Sequence, residues 1–253
     1  GGSEEEILTF RDRAAAELSA VEGADEHLVE LQGARDAAAK SLKADAKSLS
    51  GKRAKAAKVL EKEVEEALTG LAMPAARFSA ALQPVEPSCG GVCGPSGLEK
   101  TEFLFAANEG AVLRPLRKVA SGGELSRVFL AVKNVLRRAA DGLVLLFDEV
   151  DTGIGGGVAE RVGRLLVELA REHQVLCITH LPQIAALGET HFVIQKSTSG
   201  PKGAAKTQTG VMRITGSERV EEIARMAGGE DVKEATRKHA AALLTAAVTL
   251  RKQ

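Results

Sequence analysis

From Glu4 to Leu71 the chain has no proline, and Ala, Glu, Lys, Leu and Arg dominate it. A run of that length and composition forms a long helix or coiled coil and little else. Ile7, Ala14, Val21 and Leu28 recur every seven residues, and Leu42, Leu49 and Ala56 repeat the interval in a shifted frame. An average period of 3.5 residues keeps one apolar stripe turned toward a partner helix. Gly23, Gly33 and Gly51 interrupt the run, each weakening a helix by roughly 1 kcal/mol relative to Ala. The frame shift and the glycine together predict a break or hairpin near Gly23. A helix from Glu26 to Leu71 would extend about 70 Å, more stripe than a small globule can cover. It needs a partner helix, and the segment before Gly23 supplies only a short one. The rest of the partner is expected outside these residues; the plainer alternative is a solvated single helix or linker. Arg35, Lys40, Lys43, Lys47, Lys52, Arg53, Lys55, Lys58 and Lys62 make the middle of the run basic, opposed by Asp36, Asp45 and Glu61. That suits a phosphate backbone, or simply a solvated coiled-coil face.

Pro74 in "LAMPAARF" is expected to stop the helix. The boundary predicted there separates a coiled-coil arm (1–73) from a second domain (74–253). A Gly- and Pro-rich loop leads into a strand at Glu102 to Phe105, and the pattern then alternates. A helix is predicted from Ser121 to about Ala140, a buried parallel strand in "GLVLLFDE", and a helix over Val158 to Glu172. A second buried strand, "QVLCITH", precedes a short helix in "LPQIAALG" and a strand in "THFVIQK". The polar stretch from Ser197 to Thr209 reads as a surface loop and "GVMRITG" as a strand. Helices over Ser217 to Met226 and Val232 to Leu250 close the chain. Alternation of this kind is α/β: a parallel-type sheet with flanking helices.

The 253 residues are 44% hydrophobic, 3% aromatic and formally neutral, so overall charge selects no partner class. Cys89, Cys93 and Cys177 form no regular framework and have no nearby ligands to complete a metal site. They are expected to be free thiols of a cytoplasmic protein. No apolar run reaches the ~18 residues of a membrane span, and no membrane partner is expected.

Chemistry concentrates in three places. The apolar run Leu143 to Phe147 leads straight into Asp148 and Glu149. At the C-terminal edge of a parallel sheet, where such folds bind ligands, one carboxylate can hold Mg²⁺ directly or through water. The next can polarise a water for attack on a phosphate. Many apolar strands, however, simply end in acids. In "ASGGELSRV", Ser121 and Glu124 have capping-box spacing. Gly122 and Gly123 suit a first helical turn poorly, but they let an anion approach the free amides there. His180 ends the strand "VLCITH", either to meet a terminal phosphate or its attacking water, or to cap the following helix. Asp151 lies in the Gly-rich loop "DEVDTGIGGG", from which contact with a second subunit is expected.

The order of these motifs resembles the ATP-binding-cassette superfamily. The resemblance makes Ser121, Gly122, Gly123 and Glu124 the ATP-binding signature motif acting in trans. Asp148 becomes the Walker B magnesium ligand, Glu149 the catalytic base, Asp151 the D-loop, and His180 the switch histidine. More narrowly, "EFLFAANEG", "PLRKVASGGELSRVFLAVKNVL", "LLFDEVDTGIGG", "ITHLPQIAALGETHFVIQK", "EEIARMAGG" and "ATRKHAAALL" resemble the RecN family, bacterial SMC-like ATPases of DNA double-strand-break repair. One departure stands out: the P-loop pattern G-x-x-x-x-G-K-[ST] is absent, since "GPSGLEKT" has Glu99 in place of its second glycine. The resemblance therefore implies the C-terminal lobe of a head plus its arm. ATP and Mg²⁺ would be its cofactors. A homodimer through ATP-sandwiched heads and coiled coil, a missing N-terminal half with the Walker A motif, and DNA would be its partners. Without that half the chain is expected to be inactive. Another SMC-type chromosome-maintenance ATPase, or a non-catalytic coiled-coil scaffold, is the alternative. Intact Glu149 and His180 speak against the scaffold.

Overall fold

The computed structural model describes residues 2–252 except 89, 90, 120, 138, 140, 141, 200–205 and 230. Helix α1 runs unbroken from Glu4 to Gly70, so the break expected near Gly23 does not occur. The reason is local. Nothing lies within 4 Å of where a side chain would stand at Gly23, Gly33 or Gly51, so no packing enforces a turn. The strong helix formers on either side outweigh each isolated glycine.

Proline does not end the helix; a Schellman motif does so first. Ala72 takes a left-handed φ of 61°, and the Met73 N–H donates to Leu68 O at 3.1 Å. These are the positions at which that motif turns the chain out of a helix. Pro74 follows where no helix remains to be broken.

Contacts divide the chain into two compact units, Gly1–Ala57 with Ala81–Glu102, and Lys58–Ala80 with Phe103–Gln253. The division differs from the boundary expected at residue 73. The final turns of α1 belong to the second unit's core, and a loop segment belongs with the arm. In the first unit, Arg53 donates to Ser96 O at 2.7 Å and to Glu99 O at 3.2 Å, and Ser50 bonds the Glu99 carboxylate. Arg53 is thereby tied into packing and removed from the free basic face. Toward the N-terminus Ile7, Phe10, Val21 and Leu28 are exposed on the same helix.

In the second unit, Val64, Leu68 and Leu71 are fully buried among Phe78, Phe105, Val128, Leu130, Phe147 and Val162. Strands β1 (Arg77–Pro84), β2 (Glu99–Ala106) and β3 (Arg114–Pro115) form a sheet in that order. Glu61 accepts from Ala80 N at 2.9 Å, and Glu65 accepts from Phe78 N at 3.1 Å, so helix carboxylates satisfy amides of β1. Next come α2 (Gly122–Val135), β4 (Val144–Phe147), α3 (Gly156–Leu169), β5 (Gln174–Cys177) and α4 (Pro182–Ala185). β4 and β5 form a parallel pair. The hairpin of β6 (His191–Ser199) and β7 (Lys206–Ile214) is antiparallel, and α5 (Gly216–Gly228) and α6 (Glu234–Lys252) close the chain. The strands take up 197–199 and 206–209, so most of the surface loop expected at 197–209 is hairpin; residues 200–205 lie outside the described ones.

The expectation that both strand faces are buried is also corrected. Leu145 and Phe147 point into the core, while Val144 and Leu146 are 65% and 61% exposed. A continuous apolar run can be covered on both sides; here only one side is.

Candidate functional site

The parallel ladder runs from Val144↔Gln174 to Phe147↔Cys177, and Ile178 N still donates to Phe147 O at 2.9 Å. Both strands therefore end at one edge. Asp148 and Glu149 follow the first strand there, and Thr179 and His180 follow the second. Parallel pairing alone brings together residues about thirty positions apart.

Beyond Phe147 the chain turns sharply. Glu149 has φ 56°, and Thr152 N donates back to Glu149 O at 3.1 Å. The turn leaves Asp148 and Glu149 exposed and sends Val150 and Asp151 inward. Asp151 is only 2% exposed. Its Oδ2 accepts from Thr179 Oγ1 at 2.5 Å and from His180 N at 2.9 Å. His180 Nδ1 stands 3.1 Å from the same oxygen, and the His180 side chain is 69% exposed. Asp151 thus bonds within its own chain, to the end of the second parallel strand. A carboxylate this buried is satisfied where it sits.

Helix α2 starts against this turn. Ser121 is its N-cap, accepting from Glu124 N at 3.4 Å. A side chain at Gly122 would collide with the Glu149 carboxylate, and one at Gly123 would press on Thr152 Cβ at 3.1 Å and Glu149 O at 3.2 Å. The two glycines therefore admit the acid-bearing turn to the helix start. A carboxylate beside those free amides is favoured by the helix dipole.

Two further residues of α2, missed from sequence, hold the same turn. Ser126 Oγ donates to Asp148 O at 2.6 Å. Arg127 Nη1 donates to Thr152 O at 2.8 Å, and that residue is 9% exposed. Burial holds the Arg127 guanidinium below its ordinary pKa, while Glu124 acts to raise it. An arginine inside the apolar run "SRVFLAV" was the available signal. Thr179 was likewise passed over.

Cys177, next to the edge, has its thiol pushed up to about 12 by burial first and then by Asp151 and Asp148. It and Cys93 are free, and the pKa makes Cys177 an inert packing thiol; Cys89 lies outside the described residues. Among those residues no three His, Cys, Asp or Glu side chains gather as a metal cage. Magnesium needs only one or two carboxylates beside phosphate and water oxygens, and exposed Asp148 at the strand end fits one such place.

Fold and edge together define a class: an α/β segment that gathers acids and an imidazole at one edge of a parallel strand pair and carries a long helical arm. Within that class the chain belongs to the RecN family. It is 43% identical over 238 residues to the DNA repair protein RecN of Xylella fastidiosa (strain 9a5c), covering 94% of this chain and 41% of that protein. It is 40% identical to RecN of Mycobacterium tuberculosis (strain ATCC 25618 / H37Rv), covering 95% and 43%. Against RecN of Bacillus subtilis (strain 168) it is 35% identical, covering 96% and 43%. The chain thus spans about two fifths of the length of the curated relatives it matches. No family model matches it. A solved Smc head domain with coiled coil and joint from Pyrococcus yayanosii is 19% identical at TM-score 0.41, covering 67% of this chain and 29% of that one. Among the described residues no helix is long and apolar enough to cross a membrane.

Proposed function

We propose that this chain is the C-terminal half of a RecN-like, SMC-type ATPase of DNA double-strand-break repair and recombination, and that it contributes one face of an ATP sandwich. A separate segment carrying the P-loop supplies the grip on the triphosphate. One observation carries the reading: the parallel ladder ends Asp148–Glu149 and Thr179–His180 at the same edge, with the glycine-opened start of α2 packed on the Glu149 turn.

In this reading Asp148 would hold Mg²⁺, directly or through a water, and the metal would supply positive charge to the phosphate. Glu149 accepts the proton of the attacking water as that water adds to the terminal phosphorus and ADP leaves. His180 holds the terminal phosphate from the second strand end. Ser121, Gly122, Gly123 and Glu124 close on the nucleotide bound to the opposite subunit, using α2's free amides as an anion seat. Head closure would be coupled to DNA binding or end tethering, in the cytoplasm and on the nucleoid.

Two surfaces support a half-head. The outer face of β4–β5 exposes Leu146 and Leu176, which pair across the strands, together with Val144 and Ile178. Parallel sheets are ordinarily covered on both faces, and the P-loop segment is assigned that cover. The exposed apolar positions of α1 are assigned to a partner helix in the remaining length of the polypeptide.

The test is reconstitution. The chain alone is expected to give no measurable ATPase, and addition of the P-loop segment should restore Mg²⁺-dependent turnover that linear duplex DNA alters at low salt. Robust turnover by the chain alone would overturn the half-site reading. A reconstituted pair indifferent to DNA in both turnover and head association would overturn the repair reading.

A further inference from the structure

The geometry at the Asp151 Oδ2 atom sets it apart from the other acids of the edge. Three groups from the end of β5 converge on that single oxygen: Thr179 Oγ1 at 2.5 Å, His180 N at 2.9 Å and His180 Nδ1 at 3.1 Å. The acceptor is 97% buried at its side chain and the imidazole is mostly exposed, so the fixed partner is the carboxylate and the oriented one is the ring. Leu181 N also donates to Thr179 Oγ1 at 3.0 Å, which locks the threonine that shares the oxygen.

The aspartate is itself held from behind. Arg127 Nη1 fastens the adjacent Thr152 carbonyl at 2.8 Å, Ile154 N donates to Asp151 O at 3.3 Å, and Val150 is fully buried beside it. A buried side chain beside a fully buried neighbour, with two donors from the next strand, has little freedom to swing out to a second molecule. Anchoring of this sort is what orients an imidazole: the nitrogen facing the carboxylate carries the proton, and the other nitrogen is left as an acceptor.

We propose that Asp151 is a positioning residue for His180. It holds the ring with Nδ1–H toward its own carboxylate and turns Nε2 outward to the edge that Glu149 shares. It acts within one chain and makes no contact between subunits. The inference rests on the nucleotide reading for what Nε2 meets, and on the geometry alone for how the ring is held.

The experiment has two arms, so the two layers can fail separately. In the first, the chain is labelled with ¹⁵N-histidine, and the His180 ring, assigned by loss of its signals in His180→Gln, is examined at a pH where it is neutral. The expected ring is predominantly the Nδ1–H tautomer, shifting toward Nε2–H in Asp151→Asn. A wild-type ring predominantly Nε2–H, or a tautomer ratio unchanged in the variant, overturns the proposal. The wild-type measurement decides even if the variant folds poorly.

In the second arm the chain is combined with the P-loop segment. Asp151→Asn should lower kcat about 10–100-fold, the range seen when an orienting partner is lost, with KM within about threefold and ATP-dependent pairing of heads intact. Lost pairing with kcat preserved marks a subunit contact and overturns the proposal. If the wild-type pair shows no turnover, the nucleotide reading fails, and the ring measurement still decides the placement of Asp151.

Discussion

Glu149 occupies a left-handed backbone conformation, φ 56°, which costs an L-residue roughly 1–2 kcal/mol and which glycine adopts freely. A carboxylate kept at that cost, exposed at a strand end beside the open helix start, supports the catalytic role proposed for it. Glu149→Gln keeps length and polarity and removes only the capacity to take a proton. In the reconstituted complex it should reduce phosphate release by about 10²–10⁴-fold, with ATP-driven association of heads preserved by light scattering. Loss of both would make Glu149 structural. The acids, the glycine pair and His180 were legible in sequence because each is a local pattern: a strand ending in charge, glycines where a helix begins. Arg127 and the inward turn of Asp151 were not. A buried polar side chain depends on which loop packs against which helix, and spacing along the chain carries no such information.

Elements were legible where period and composition agree. The arm, the two parallel strands and the closing helices all lie close to their predicted ranges. The break near Gly23 failed because a glycine's helix cost is small and local, whereas a turn needs contacts to stabilise it. The junction of α4, β6 and α5 was silent in sequence. There Arg219 Nη2 donates to the carbonyls of Ala185 at 3.3 Å, Ala186 at 3.0 Å and Gly188 at 2.5 Å, satisfying oxygens at the end of α4. His191 sits beside this cation with its Nδ1 buried and unpartnered. Burial first, and then Arg219, hold its pKa below 6.5, against an opposing pull from Glu222. The folded state therefore keeps the ring neutral, while the unfolded chain takes a proton as pH falls through about 6.5. The stability His191 contributes is present above that pH and is lost below it. The thermal midpoint should drop between pH 7 and 5.5, and His191→Gln should flatten that drop. Parallel pH curves for the two proteins would clear His191 of any part in it.

At the scale of the whole molecule the outer face of β4–β5 is the feature that needs explaining. Leu146 and Leu176 pair directly across it, 61% and 46% exposed, while Leu145 and Phe147 on the inner face are 5% and 1% exposed. A two-stranded sheet is marginal by itself and depends on what packs on it. The inner face has its cover in α2 and α3; the outer face has none among the described residues. The chain spans only 41–43% of its relatives' length, so the proposed cover has ample polypeptide to come from. Leu146→Lys separates the two possibilities. An exposed position that stays exposed tolerates the change, and the melting of the chain alone should move by no more than ~0.5 kcal/mol. A position buried on association loses the ~1.5–3 kcal/mol of an apolar side chain, which weakens binding of the P-loop segment about 10–100-fold. Titration calorimetry of the chain against that segment reads the difference. Val248→Lys, on an exposed position of α6 outside this face, serves as the control and should leave binding unchanged. Equal affinities for wild type and Leu146→Lys would mean that the P-loop segment does not cover the outer face. The half-head reading would then lose the surface through which its two parts are proposed to meet.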